Sequence, residues 1–265
     1  MLGAIAGDII GSRFEWNNIK SRDFELFTKD CFITDDSVMT LAVAKALLTS
    51  RPGFEDLSTQ AVRWMREIGR LYPDRGYGLR FEDWLYSDDP RPYGSFGNGA
   101  AMRVSPCAWA AGSLEEVKRL SRAVTEVTHN HPEGLLGAEA VAAAAYLART
   151  GAEKEEIRRV ITENYYPLDF TLDEIRECYG FDGTCQGSVP QALQAFFESE
   201  SFEDAVRNAV SIGGDSDTIA AITGSVAECY YGIPKSIRNR ALKYLDERLL
   251  AILLEFEAVY PPKAL

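Results

Sequence analysis

Gly213-Gly214-Asp215-Ser216-Asp217-Thr218 runs without a break into the small and apolar residues Ile219 to Tyr231, and the reading of this stretch decides the fold. The two glycines let the backbone turn sharply, and the acids and hydroxyls after them open a helix. A second segment far away in the chain, Thr34-Asp35-Asp36-Ser37, has the same chemistry and leads into Val38, Met39, Leu41, Ala42, Val43, Ala44 and Leu47, apolar at helical spacing. Helix capping explains either cluster alone, because Thr, Asp and Ser accept the first free N–H groups and acids suit the positive end of the dipole. A cap, however, uses one or two side chains, and Asp-Asp together with Asp-x-Asp-Thr carries more charge than that. If the two helix starts face each other across a bundle, each close pair of carboxylates repels by ~4 kcal/mol at an effective dielectric of about 20. A divalent cation removes that cost. All-oxygen ligands point to Mg²⁺ or Mn²⁺, or to a pair of such ions sharing carboxylates, and away from zinc, which prefers Cys and His.

The 265 residues, 46% of them hydrophobic, can bury a sizeable core, and no linker divides them, so residues 1–265 are expected to form one domain. A net charge of −12 argues against general nucleic-acid binding, which needs a basic face. The apolar start Met1 to Asp8 is too short and lacks the basic flank of a secretory signal, and no segment is long enough to cross a bilayer. Five cysteines without a close CxxC pair read as reduced thiols of a cytoplasmic protein. A monomer is the favoured oligomeric state.

Elsewhere the pattern is helical and strand-like alternation is nearly absent. Gly3, Gly7 and Gly11 recur every fourth residue in an apolar helix whose small face allows close packing, and Asp8 within it must find a partner or reach a cleft. Ser12 to Asn18 loses periodicity and reads as a surface loop, where Glu15 is either a functional residue or, the plainer reading, an ordinary solvated glutamate. Helices are expected over Phe54 to Arg70, Leu114 to Val127, Pro132 to Arg149, Lys154 to Glu163, Leu172 to Cys178, Val189 to Phe197, Phe202 to Ser211 and about Lys235 to Phe256. The architecture is therefore all-α, a compact orthogonal bundle of roughly a dozen helices. Between them, Tyr93 to Gly99 is a glycine-dense loop before a small-residue run. It could wrap N–H groups around a phosphate or merely join two helices. Thr128-His129-Asn130-His131-Pro132 holds both histidines, one of which is expected to touch substrate.

Taken together, Gly7 to Glu15, Thr34 to Ser37, Gly94 to Arg103, Thr128-His129 and Gly213 to Thr218 resemble the ADP-ribosylglycohydrolase family. The resemblance covers almost the whole chain with five motifs in the family's order. It implies an all-α fold and two divalent cations, Mg²⁺ or Mn²⁺, with Thr34, Asp35, Asp36, Asp215, Asp217 and Thr218 as the ligand set. It implies ADP-ribose as the recognised group: Ser95, Phe96, Gly97, Asn98 and Gly99 at the diphosphate, with Gly78, Met102 and His129 around the rest. Phe96 stands where some members carry a tyrosine and can stack but not donate a hydroxyl. Glu15 matches the family's mobile glutamate.

The implied reaction is removal of ADP-ribose from an adduct on a protein or small molecule, with arginine as the favoured acceptor. The cations would hold the ribose hydroxyls and activate water, Asp36 or Asp217 would take the water's proton, and Glu15 would orient the bond or protonate the leaving group. One rival is a haloacid-dehalogenase-type phosphohydrolase, suggested by Asp215-x-Asp217, but that family sets its acids after a buried strand in an α/β fold. The other rival is a binding relative without turnover, which should have lost ligands that are all present here.

Overall fold

The computed structural model describes residues 1–262. Among them the regular structure is helical: α1 (Leu2–Gly11), α2 (Asp35–Thr49), α3 (Leu57–Gly69), α4 (Leu79–Tyr86), α5 (Gly99–Met102), α6 (Ser105–Ala110), α7 (Leu114–Thr125) and α8 (Pro132–Arg149). The second half adds α9 (Lys154–Asn164), α10 (Leu172–Ile175), α11 (Cys185–Phe197), α12 (Phe202–Ser211), α13 (Ser216–Tyr231), α14 (Lys235–Ala241) and α15 (Glu247–Val259). Side-chain caps start many of them: Thr34, Ser113, His131, Thr184, Ser201 and Asp246 each accept a backbone N–H of the helix they precede, and Thr171 forms a reciprocal capping box with Glu174.

The innermost pair is α1 against α13. Neither is amphipathic, because α1 is buried along its whole length and α13 along all but its last two residues. Their contact is backbone to backbone. A Cβ on Gly3 would stand 2.2 Å from the Gly224 carbonyl oxygen, one on Gly7 2.0 Å from that of Ala220, and one on Gly11 2.5 Å from that of Ser216. The glycine every fourth residue of α1 thus meets Gly224, Ala220 and Ser216 in reverse order, a seam that only residues without side chains permit. Its outer end is closed by the buried Glu228 carboxylate, which pairs with the Met1 ammonium and accepts Gly3 N–H at 2.8 Å. Its inner end delivers Asp8 and Asp217 to the same place. Around this pair, α2 packs on α1, α3 and α15, and the alanine-rich α8 is buried among α5, α6, α7, α11 and α13.

Four expectations change. The single helix over Lys235 to Phe256 is broken: a 3-10 turn over Leu242–Tyr244 and extended Leu245 separate α14 from α15, because Asp246 caps a new start by accepting Leu249 N–H at 2.9 Å. The segment from Leu172 to Cys178 is helical only to Ile175, and α11 starts at Cys185 rather than Val189, carrying Pro190 inside it. Helices α4 and α6 had not been expected. Both are short and lie beside Gly- and Pro-rich turns whose composition masks their periodicity.

Candidate active site

Where α1, α2 and α13 converge, a cavity of about 500 Å³ opens to solvent. Glu15, Asp35, Asp36, Asp215, Asp217 and Thr218 line one part of it, and Gly78, Ser95, Gly97, Asn98, Gly99, Met102, Arg103 and His129 line the rest. The two acid-rich helix starts do face each other: Thr218 Oγ1 donates to Asp36 Oδ2 at 3.2 Å across 182 residues of chain.

The starts differ in how they use their polar groups. Thr34 caps α2 by accepting Asp36 N–H, while its hydroxyl lies 2.8 Å from Asp8 Oδ1 and 3.2 Å from Asp36 Oδ2. At α13 Asp215 occupies the cap position and caps nothing; its Oδ2 instead accepts the Asn98 amide at 2.7 Å. The turn that allows this places Gly213 at φ 69° and Gly214 at φ 74°, where a side chain would be strained.

Asp8 holds the arrangement from behind. Its carboxylate is fully buried and accepts Thr34 N–H at 3.1 Å, Thr34 Oγ1, Ser37 N–H at 3.1 Å and Ser37 Oγ. It had been singled out as needing a partner, but not placed in the ligand set. Carboxylate oxygens of Asp8, Asp36 and Asp217 lie within 4.8 Å of one another, and so do those of Glu15, Asp215 and Asp217. Asp217 belongs to both groups. Asp35 belongs to neither, although it lines the cavity.

Burial pushes these acids toward their protonated forms, and for Glu15, Asp35, Asp36 and Asp217 the neighbouring acids add to it. Asp36 and Asp217 are raised well above the ordinary carboxylate range by burial first and by neighbouring acids second, and Asp35 likewise. Burial lifts Asp8 to about 6 against the pull of its Ser37 and Thr34 hydrogen bonds. Glu15, half-buried, is pushed up to about 7 by burial and then by Asp215. Asp36 Oδ1 and Asp217 Oδ1 are buried without a hydrogen-bond partner. Two orphaned carboxylate oxygens inside a knot of acids fit a divalent cation, which supplies the missing charge and accepts hard oxygen ligands.

Glu15 is therefore not a solvated surface glutamate. The 3-10 turn Ser12–Phe14 continues α1 and aims Glu15 at the acids, and Asn18 pins the loop. The Asn18 amide donates to Phe14 O at 2.6 Å and to Gly214 O at 2.9 Å, and its oxygen accepts Gly214 N–H at 2.8 Å. Lys20 adds contacts to Tyr179 O and Ile212 O, each at 2.6 Å. The sequence does not single out Asn18 or Lys20, since a polar residue in a loop carries no signal until its distant partner is known.

The glycine loop is held by strand-like pairing to the start of α11, with Asn98 N–H to Gly183 O and Cys185 N–H to Phe96 O both at 2.9 Å. One of its side chains is already engaged and another departs from expectation. The Asn98 amide, at the cavity, donates to Asp215 and Ser188 and so ties the loop to the acids. The Phe96 ring does not line the cavity but packs 5.2 Å from the His131 ring on the outside, because the loop needs its backbone for pairing with Cys185. His131 is a helix cap, and His129 is the histidine at the cavity. At the mouth Trp16, 81% exposed, stacks on Phe181 at 5.2 Å and 17°.

The all-helical scaffold thus points clustered carboxylates into a cavity opposite a glycine loop. The chain belongs to the ADP-ribosylglycohydrolase family, whose sequence profile matches residues 1–261. It is 25% identical to the ADP-ribosylhydrolase ARH3 of Mus musculus over 95% of this chain and 88% of that one. It is 28% identical to the ADP-ribosylarginine hydrolase Tri1 of Pseudomonas putida (strain GB-1), over 88% and 70%. The ADP-ribosyl-[dinitrogen reductase] glycohydrolase of Rhodospirillum rubrum is 26% identical over 76% and 69%. Among solved structures, one described as an ADP-ribosylglycohydrolase-related protein complex superposes with a TM-score of 0.70 at 27% identity, over 98% of this chain and 95% of that one. Family membership makes the chemistry hydrolytic removal of ADP-ribose.

Proposed function

We propose that this protein cleaves the N-glycosidic bond joining ADP-ribose to an arginine side chain, with two divalent cations, Mg²⁺ or Mn²⁺, at the acid cluster. The carrying observation is that two carboxylate groups share Asp217 and leave Asp36 Oδ1 and Asp217 Oδ1 buried and unpartnered. Asp36, Asp215, Asp217 and Thr218 would hold the cations, with Asp35 and Thr34 at the edges and Asp8 orienting Thr34 and Ser37 behind them. When bound, the cations supply positive charge and Lewis acidity toward the ribose hydroxyls.

The chain's own residues do the remainder. Asp217 or Asp36 accepts a proton from the attacking water as its oxygen bonds to the anomeric carbon. The bond from that carbon to the leaving nitrogen breaks, and Glu15 supplies the proton that the basic guanidine requires. Oxocarbenium character that develops at the carbon is stabilised by the surrounding carboxylates. The stacked Trp16 and Phe181 rings beside Glu15 offer a π surface suited to a flat guanidinium, which favours arginine over a serine hydroxyl. The backbone of Gly97 and Gly99 with Ser95 and His129 suits the diphosphate. The five cysteines, none of them in a disulfide among the described residues, suit a reducing, cytoplasmic setting.

The test is release of ADP-ribose from defined arginine-linked and serine-linked substrates, each with Mg²⁺, Mn²⁺ or EDTA. Cleavage of the arginine adduct that EDTA abolishes is expected. Release from the serine adduct alone would overturn the acceptor, and full activity in EDTA would overturn the cations.

A further inference from the structure

Arg103 is 1% exposed, and among the described residues it has no carboxylate within ion-pair distance. A buried guanidinium without a counter-ion is expensive, and burial lowers its own affinity for its proton, to about 10. What it touches is instructive. Its Nη2 donates to Thr128 Oγ1 at 2.7 Å and lies 3.5 Å from His129 Nδ1, and Thr128 Oγ1 is 2.8 Å from the same ring nitrogen. Its carbon centre stands 5.3 Å from the centroid of the Phe81 ring.

The hydrogens in this triangle can be assigned by elimination. A guanidinium only donates, so no hydrogen on Nδ1 can face it without opposing donors. Thr128 Oγ1 already accepts from Arg103, and its own hydrogen has two acceptors, Nδ1 at 2.8 Å and the Thr125 carbonyl at a longer 3.5 Å. Nδ1 is therefore the acceptor of the triangle, and the ring hydrogen sits on Nε2. That nitrogen points to the glycine loop: a Cβ built on Gly97 or Gly99 would lie 3.6 or 3.5 Å from it.

We propose that Arg103 is a positioning residue which, with Thr128, fixes His129 in its Nε2–H tautomer so that the imidazole meets an anionic ligand on the glycine loop as a hydrogen-bond donor. The identity of that ligand as the diphosphate of ADP-ribose rests on the function proposed above. The charges facing the ring agree with this: burial, then Arg103, then Arg80 of α4 lower the His129 basicity well below that of a free imidazole, while the Tyr93 ring packs beside it tilted by 55°, ring centres 6.0 Å apart. No acid stands among these neighbours, so the ring donates without carrying a charge.

The chain has two histidines, so ¹⁵N-histidine labelling reports on two rings, and one of them, the exposed His131, serves as internal reference. The wild-type His129 ring is expected to show a proton on Nε2 and none on Nδ1 and to stay so from about pH 5.5 to 8. In Arg103→Met the ring is expected to populate both tautomers, and in Thr128→Val to move the same way. Binding of free ADP-ribose in Mg²⁺ should weaken about tenfold in Arg103→Met while kcat on a cleaved adduct changes by less than about threefold, with Arg103→Lys restoring part of the affinity. A wild-type ring protonated on Nδ1, or one that titrates in that range, overturns the proposal even if no variant folds. An unchanged tautomer in a folded Arg103→Met protein overturns it too. Loss of all ADP-ribose binding by the wild type with the tautomer as expected would strike the proposed function and leave the positioning role standing.

Discussion

At one end of the cavity Asp8, Glu15, Asp36, Asp215 and Asp217 crowd together with two buried oxygens left unpaired. At the other end a single buried guanidinium leans on a neutral histidine and a threonine. Both ends carry charge that burial disfavours, and they deal with it differently. The acids are lifted toward protonation and can be relieved by a small multivalent cation. Arg103 cannot shed its proton at neutral pH, so it is satisfied by groups that have nothing to lose by accepting. A ligand that is anionic at one end and rich in hydroxyls at the other fits this polarity along its length.

The largest effect expected at the acid end is on catalysis. Asp36→Ala or Asp217→Ala should lower kcat by about a thousandfold or more, because each removes a ligand oxygen and a candidate base, while the helical circular dichroism stays intact. Activity within tenfold of wild type in both variants would remove the acid cluster from the mechanism.

The spacing of that cluster depends on the α1–α13 seam, whereas Arg103 and His129 sit on other elements. Gly7→Ala puts a methyl 2.0 Å from the Ala220 carbonyl oxygen, so the helices must separate, and we expect a loss of about 3 kcal/mol in denaturant unfolding. Surviving protein should bind Mg²⁺ more weakly and keep the His129 ring signal. A loss under about 1 kcal/mol would mean that the seam yields and does not set the acid spacing.

The smallest effect is on stability against pH. The folded, cation-free protein keeps protons on Asp8 to about 6, on Glu15 to about 7, and on Asp36 and Asp217 well above the ordinary range, while the unfolded chain gives up the corresponding protons near pH 4. Between those limits the native state binds more protons, so these groups make stability fall as pH rises. Cation binding needs the acids ionised and grows stronger over the same interval. The Tm in Mg²⁺ minus that in EDTA should therefore widen by about 5 °C from pH 5 to 7.5. A gap that stays constant or narrows would break the contrast between the two ends.

Much of the acid end could be read from local chemistry. Glu15 could not, because its loop has no periodicity and its burial comes from Asn18 reaching Gly214, 196 residues on. Asp8 was conspicuous as an acid in an apolar helix, but its partners Thr34 and Ser37 belong to another helix start. The outward turn of Phe96 could not be read either: a loop composition says that backbone N–H groups are available and not which way the flanking side chains turn.

What the sequence by itself determined is the all-helical character, the two acid-rich helix starts, the glycine face of α1 and the likeness to a family, since capping, periodicity and side-chain size are local properties written residue by residue. Only the tertiary structure decided that Asp217 is shared by two carboxylate groups, that Glu15 turns inward, and that Arg103 orients His129. Each of these depends on which distant atoms come within a few ångströms of each other, the range over which hydrogen bonds and close charges act, and that proximity is created by packing rather than by order along the chain.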